Sequence, residues 1–286
     1  MPVLAIEIPW GPNITTIAGF LLTWHGFFTA LGILAGVQAS MWIARRSGAN
    51  EDDLYTLILI GIPAGIVGAR GLFVIENWGF YGENLGDILA ITEGGISIWG
   101  ALLAGILVPA VFGYWRGYDL KSHMDSVAFG LMLGLGLGRI GDLVNGEHLA
   151  TASKLPWAVY YTHLESPALQ HSFAVGAHHP ATTYEMLAMW LVFAALIPVF
   201  FRRLYRYPGV TFMVIAAAYA LIRFALTYLR VDSDEVALGL RVPQVVAIVT
   251  WLVVIPLGVY LYRRGPDEDR PEPHIHGRIP VSEAES

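Results

Sequence analysis

The chain has 286 residues, 55% of them hydrophobic and 14% charged, with a mean hydropathy of +0.56 and a formal net charge of −6. A soluble domain carries about a quarter charged residues, so this chain lacks the charge to coat a water-facing surface, and its modest negative balance speaks against a nucleic-acid binder. The absence of cysteine excludes disulfides, thiolate metal sites and a cysteine nucleophile, which leaves an all-α, polytopic membrane protein.

A helix crosses the hydrocarbon layer with about 20 apolar residues. Seven stretches qualify: 14–43, 54–76, 95–115, 124–141, 183–201, 209–229 and 243–262. The first has room for an interfacial extension. It lacks a basic leader and a small-residue cleavage site, so it reads as a retained helix and not a signal peptide.

The loops fix an orientation, because Lys and Arg collect on the cytoplasmic side. The 76–94 loop holds no base, and the 139–182 and 228–242 segments hold only Arg139, Lys154, Arg230 and Arg241. The opposite side holds eleven, from Arg45 and Arg46 to Arg270 and Arg278, with Arg70 and Arg223 inside spans. The alternation predicts an N-terminus outside and a C-terminus in the cytoplasm. Residues 1–264 form the membrane domain, with a small extracytoplasmic cap over about 142–182 between spans four and five. Residues 265–286 read as a polar, disordered tail. No internal repeat stands out, which weakens an inverted-repeat transporter.

Ionisable groups inside a bilayer are costly and mark function by default. Arg223 lies deep in span six with Tyr219 one turn earlier on the same face. It reads as an anion site, since a guanidinium grips phosphate through two parallel hydrogen bonds; a structural arginine paired with a distant acid is the alternative. Arg139 ends span four and is followed by Asp142, Asn145, Gly146 and Glu147. Glycines 134, 136, 138 and 141 permit close backbone approach there. Arg70 sits late in span two, near enough to the surface to snorkel. His25 lies inside span one and is either a core histidine or a reactive group. Five of nine histidines fall between 148 and 179, but their spacing matches no zinc pattern, and no metal is expected. Span seven has no lysine for a retinal Schiff base, and Ser97 lacks the glycine expected after a protease nucleophile.

Taken in order, these stretches resemble the phosphatidylglycerol–prolipoprotein diacylglyceryl transferase family. That family's signature, Gly-Arg-x-Gly-Asn-Phe-x-Asn-Gly-Glu, stands here as Gly138-Arg139-Ile140-Gly141-Asp142-Leu143-Val144-Asn145-Gly146-Glu147. His179-Pro180 with Tyr184-Glu185, Tyr219 with Arg223-Phe224, and Gln244 also fall in the family's order. The family's span-one tyrosine is His25, its span-three histidine is Trp99, and the first asparagine of its signature is Asp142. The resemblance implies seven spans and a place in the bacterial inner membrane. It implies transfer of the diacylglyceryl group from phosphatidylglycerol to the lipobox cysteine of a prolipoprotein, without a cofactor. Arg139, Arg223, His25 and Glu147 are then the expected catalytic groups. Arg139, Arg223, Asp142, Asn145, Gly146, Tyr219 and Arg70 are the expected lipid contacts. With Trp99 in place of histidine, the thiol is activated either by the field of the arginines or by His25. The alternative is a divergent relative that binds or translocates phospholipid without this chemistry.

Overall fold

The computed structural model describes residues 5–17, 20–89, 95, 97–237 and 239–273. Gly94 and Ile96, before span three, and tail residues 274–286 lie outside the described residues. Among the described residues, seven helices are long and apolar enough to cross a membrane: α1 (Trp24–Ser47), α2 (Glu51–Glu76), α4 (Ile98–Arg116), α5 (Leu120–Asn145), α7 (Ala181–Arg202), α8 (Val210–Thr227) and α9 (Val242–Arg263). Their windows are largely unburied by protein, as expected where lipid is the solvent and each helix satisfies its own backbone. Two short helices, α3 (Trp78–Tyr81) and α6 (Leu169–Val175), two 3-10 turns (Leu85–Leu89 and Leu204–Arg206) and six short strands make up the other described elements.

Two of the boundaries that differ from expectation bear on the site. The first expected span began at residue 14, yet Asn13–Ile17 (β2) and Phe20–Thr23 (β3) form an antiparallel hairpin before α1. The β-branched run Ile14-Thr15-Thr16-Ile17 favours extended backbone, a preference that hydropathy cannot register. Thr23 then caps α1, accepting from Gly26 N at 3.0 Å. The fourth expected span ended at 141, whereas α5 runs to Asn145. Apolar Leu143 and Val144 continue the helix, and Gly146, with φ of 80°, takes the left-handed conformation that ends it. Asp142 and Asn145 therefore stand on the last turn of a helix and not in the cap.

The chain divides into two units, Met1–Gly48 with Met124–Ser286, and Ala49–His123. In the first, α1 and α5 approach along their glycines. A Cβ at Gly36 would lie 2.8 Å from Gly130 O, and Gly32 meets Gly134 O in the same way. Without a hydrophobic force between helices in lipid, such backbone-to-backbone packing is what holds them. Ile43, Phe129, Met132, Met189, Phe200 and Ile215 fill a buried core. Buried Asp125 accepts from Gly209 N and Phe212 N at 2.8 Å each, placing a carboxylate at the N-terminus of α8.

The cap also belongs to this unit. Ile6–Ile8 (β1) pairs in parallel with Val159–Tyr161 (β4), and the Tyr161 hydroxyl donates to Leu143 O at 2.6 Å, tying the cap to the end of α5. His178 stacks on Tyr161 with centroids 5.7 Å apart. Burial pushes its imidazole down to about 4, so it is neutral. Glu235–Ala237 (β5) and Leu240–Arg241 (β6) form a short hairpin leading into α9. From the start of the polar tail, Asp267 N donates to Arg206 O at 2.7 Å. In the second unit α2 and α4 pack through small residues, a Cβ at Gly68 falling 2.5 Å from Gly100 O.

Candidate active site

The site is assembled by the ends of α1, α5, α7 and α8, all in the first unit. Its centre is Glu185, four residues into α7 and 1% exposed in its side chain. Glu185 Oε1 accepts from Arg139 Nη2 at 3.0 Å and from the Tyr219 hydroxyl at 3.3 Å. Its Oε2 accepts from Arg223 Nη1 at 2.9 Å, and Arg230 Nη1 stands 4.0 Å away. A carboxylate this deep would be expelled from the protein interior if unpaired. Three guanidinium groups from two helices and the segment after α8 compensate it. Tyr219 and Arg223 share this partner because four residues is one helical turn.

Arg139 reaches a second carboxylate, with Nη1 2.5 Å from Asp142 Oδ2. The other oxygen of Asp142 faces His25 Nδ1 at 2.6 Å, and Glu147 Oε2 is 3.7 Å from the same nitrogen. Gly141 makes this meeting possible: a Cβ there would sit 2.7 Å from His25 Cα and 2.9 Å from Trp24 O. Asn145 Nδ2 donates to Glu147 Oε1 at 3.0 Å. Gly146 supplies the turn that brings Glu147 back towards the helix end.

An outer layer follows. His148, itself at φ 67°, places Nε2 3.2 Å from Arg139 Nη1 and 3.6 Å from Asp142 Oδ2. Its Nδ1 lies 3.2 Å from Asp232 Oδ2 and 2.6 Å from Arg230 Nη2. Burial opposes protonation of His148, but Asp142 and Asp232 outweigh it and hold the imidazole above its ordinary value. Burial likewise opposes ionisation of Asp232, yet hydrogen bonds from His148 and Arg230 hold it well below the usual carboxylate range.

The structure thus brings together Arg139, Arg223, His25, Asp142, Asn145, Gly146, Glu147 and Tyr219. Arg70 belongs to the second unit. It is buried, and its Nε, Nη1 and Nη2 donate to the carbonyls of Ile88, Gly95 and Asp87 at 2.8, 2.8 and 2.6 Å. Its guanidinium also lies 5.2 Å from the Tyr81 ring. Glu76 accepts from Ser97 Oγ at 3.3 Å, and half-exposed Trp99 stands in the first turn of α4.

Sequence reasoning placed Glu185 only as a landmark at the start of span five. A carboxylate just inside an apolar span was the signal that could have promoted it. Arg230 falls in a segment that reads as a loop, and neither Asp232 nor His148, next to the signature, stands out in the sequence. Nothing in their local sequence separates them from solvated polar groups.

The three nearest donor atoms of His25, Asp142 and Glu147 lie within 4.8 Å of one another, a spacing that a cation could bridge. Chemically, the cluster can hold an anion against Arg139 and Arg223. It can also exchange a proton at the half-exposed ring of His25.

A family model described as prolipoprotein diacylglyceryl transferase matches residues 12–260. A relative from Thermosynechococcus vestitus is 36% identical over 260 residues, covering 89% of this chain and 94% of its own. One from Gloeobacter violaceus is 34% identical over 263 residues, covering 91% and 96%. A third, from Clostridioides difficile, is 30% identical over 250 residues, covering 87% and 94%. All three are named phosphatidylglycerol–prolipoprotein diacylglyceryl transferase.

Proposed function

We propose, on the premise that the chain belongs to the prolipoprotein diacylglyceryl transferase family, that it moves the diacylglyceryl group of phosphatidylglycerol to the thiol of a lipobox cysteine. The reaction joins cysteine sulfur to the glyceryl carbon and releases glycerol phosphate. The nucleophile belongs to the substrate, which accords with a chain that has no cysteine of its own.

One observation carries the reading: Arg139 and Arg223 are set against opposite oxygens of buried Glu185, at 3.0 and 2.9 Å. This anchors both guanidinium groups before any ligand arrives. Among the described residues, Arg223 makes no hydrogen bond through Nε or Nη2, and Arg230 Nη1 makes none at all. These donors suit the phosphate of the lipid in the ground state and the departing phosphate in the transition state. In a water-poor site such prearranged charge contributes more than it would in solvent. Tyr219 orients Glu185, while Asp142 and Asn145 set the end of α5 around the headgroup. Glu147 steadies Asn145 at the mouth. We place the enzyme in the bacterial cytoplasmic membrane with the site at its outer face, where prolipoproteins present their lipobox.

Expression in a bacterium depleted of its own transferase tests this. Restored growth and lipidated lipoprotein are expected. If membranes carry the protein, and it binds phosphatidylglycerol, but no lipoprotein is modified, the phospholipid-binding alternative replaces this reading.

A further inference from the structure

We infer that His25 and Asp142 form a base dyad, Asp142 holding His25 Nδ1–H so that Nε2 takes the proton of the incoming cysteine thiol. The inference rests on the transferase reading above. It starts from the 2.6 Å contact between His25 Nδ1 and Asp142 Oδ1. An ionised carboxylate only accepts, so the nitrogen facing it carries the hydrogen, and in a neutral ring the lone pair is left on Nε2.

The two ends of the dyad are differently exposed. The Asp142 side chain is 4% exposed and the His25 ring 47%, so the orienting group is fixed inside while the imidazole stays open to a substrate. Position is set from three sides: the Thr23 cap holds the first turn of α1, Gly141 lets that turn rest on α5, and Arg139 clamps the far oxygen of Asp142 at 2.5 Å. Through Arg139 the dyad is joined directly to the phosphate clamp, so base and leaving-group site share one carboxylate. Trp99 cannot accept a proton. The charged groups facing the ring are Asp142 and Arg139 from α5 and Glu147 just beyond its end.

A divalent cation on His25, Asp142 and Glu147 is the rival use of these atoms. The Arg139 guanidinium, 2.5 Å from Asp142, places a fixed positive charge against that donor set, which favours a proton over a metal. In the step itself the thiol proton passes to Nε2 while sulfur bonds to the glyceryl carbon. The carbon–oxygen bond to phosphate breaks, and its electron pair leaves on the phosphate oxygen held by Arg139 and Arg223. The imidazolium then gives its proton to water. Thiol and phosphodiester become thioether, glycerol phosphate and one proton.

The test is a kcat and KM profile across about pH 5–10, using full-length protein in phosphatidylglycerol vesicles with a lipobox peptide. A positioned general base contributes about 10²–10⁴-fold, so His25→Gln should lose about 100-fold in kcat near neutrality with peptide KM little changed. That deficit should shrink above about pH 8.5, where the thiol ionises unaided. Asp142→Asn should cost less in His25→Gln than in the wild-type background, because part of its effect acts through the histidine and the rest through Arg139. His25→Asn, checked for phosphatidylglycerol binding, guards against a folding defect in the first variant. An active wild type whose His25 variants keep their rate and acidic limb would overturn the dyad. So would additive losses in the double variant, or activity removed by chelation and restored by a divalent metal. A wild type that transfers nothing overturns the transferase reading instead, and the dyad with it.

Discussion

Arg223 of α8 donates to Glu185 of α7 at 2.9 Å, across 38 residues of sequence. The arginine that reads in sequence as a lone charge in an apolar helix is half of a buried ion pair. The same carboxylate takes Arg139 at 3.0 Å, so one acid aims two cations. Removing one partner of such a cluster leaves charge uncompensated where water cannot reach it. Glu185→Gln is therefore expected to destabilise the fold by about 3–5 kcal/mol and to reduce phosphatidylglycerol binding. Thermal unfolding and lipid titration in detergent check both; wild-type melting would show that the guanidinium groups need no counter-charge here.

Arg139→Lys and Arg223→Lys keep the charge but replace a planar fork with a point ammonium. Each is expected to lose one charge-assisted contact, about 1.5–3 kcal/mol, or roughly 10- to 150-fold in lipidation rate. The comparison is made at matched membrane abundance. Lysine variants that work like the parent would remove the bidentate phosphate contact from the mechanism.

Two glycines three apart in sequence separate packing from propensity. A Cβ at Gly141 meets backbone of His25 and Trp24 at 2.7 and 2.9 Å, whereas one at Gly138 meets nothing within 4 Å. Gly141→Ala should cost about 1–3 kcal/mol from overpacking and lose activity by shifting His25. Gly138→Ala should be neutral or stabilising by up to about 1 kcal/mol. Melting curves and lipidation rates of the pair give the answer, and equal behaviour would contradict the close approach.

His148 gives stability a pH dependence. Its folded value is raised, so its contribution is present below the ordinary value of 6.5 and is lost as pH rises through the higher folded one. Asp232, held low, contributes above its ordinary value of 3.8 and loses that only at acid pH below it. Melting temperature should fall on the alkaline side of 6.5 in the wild type and less steeply in His148→Gln. Parallel curves would assign the slope to another group.

The orientation can be read with single cysteines in this cysteine-free chain. Asn84 and Leu164 are exposed on the segments expected outside, and Arg45 and Arg203 on those expected inside. Ser166 is buried and would be a poor reporter. An impermeant maleimide should label positions 84 and 164 in intact cells and spare 45 and 203; outside labelling at 203 would reverse the topology.

The seven spans were legible in sequence because a bilayer imposes one length and one polarity on every crossing helix. Their ends were less so. The hairpin before α1 and the last turn of α5 depend on β-branching and on where a glycine can turn left-handed, which hydropathy averages away. Arg139, Arg223 and Tyr219 were legible for the same reason as the spans: a charge or phenol in an apolar helix is conspicuous.

What only tertiary structure decided is partnership. His25 and Asp142 are 117 residues apart and Arg139 and Glu185 are 46 apart. No periodicity along a helix says which neighbour its polar face will meet. The choice was made by glycine contacts between α1 and α5 and by burial around Glu185. Backbone proximity and the cost of an unpaired buried charge act only between segments that folding has already brought side by side.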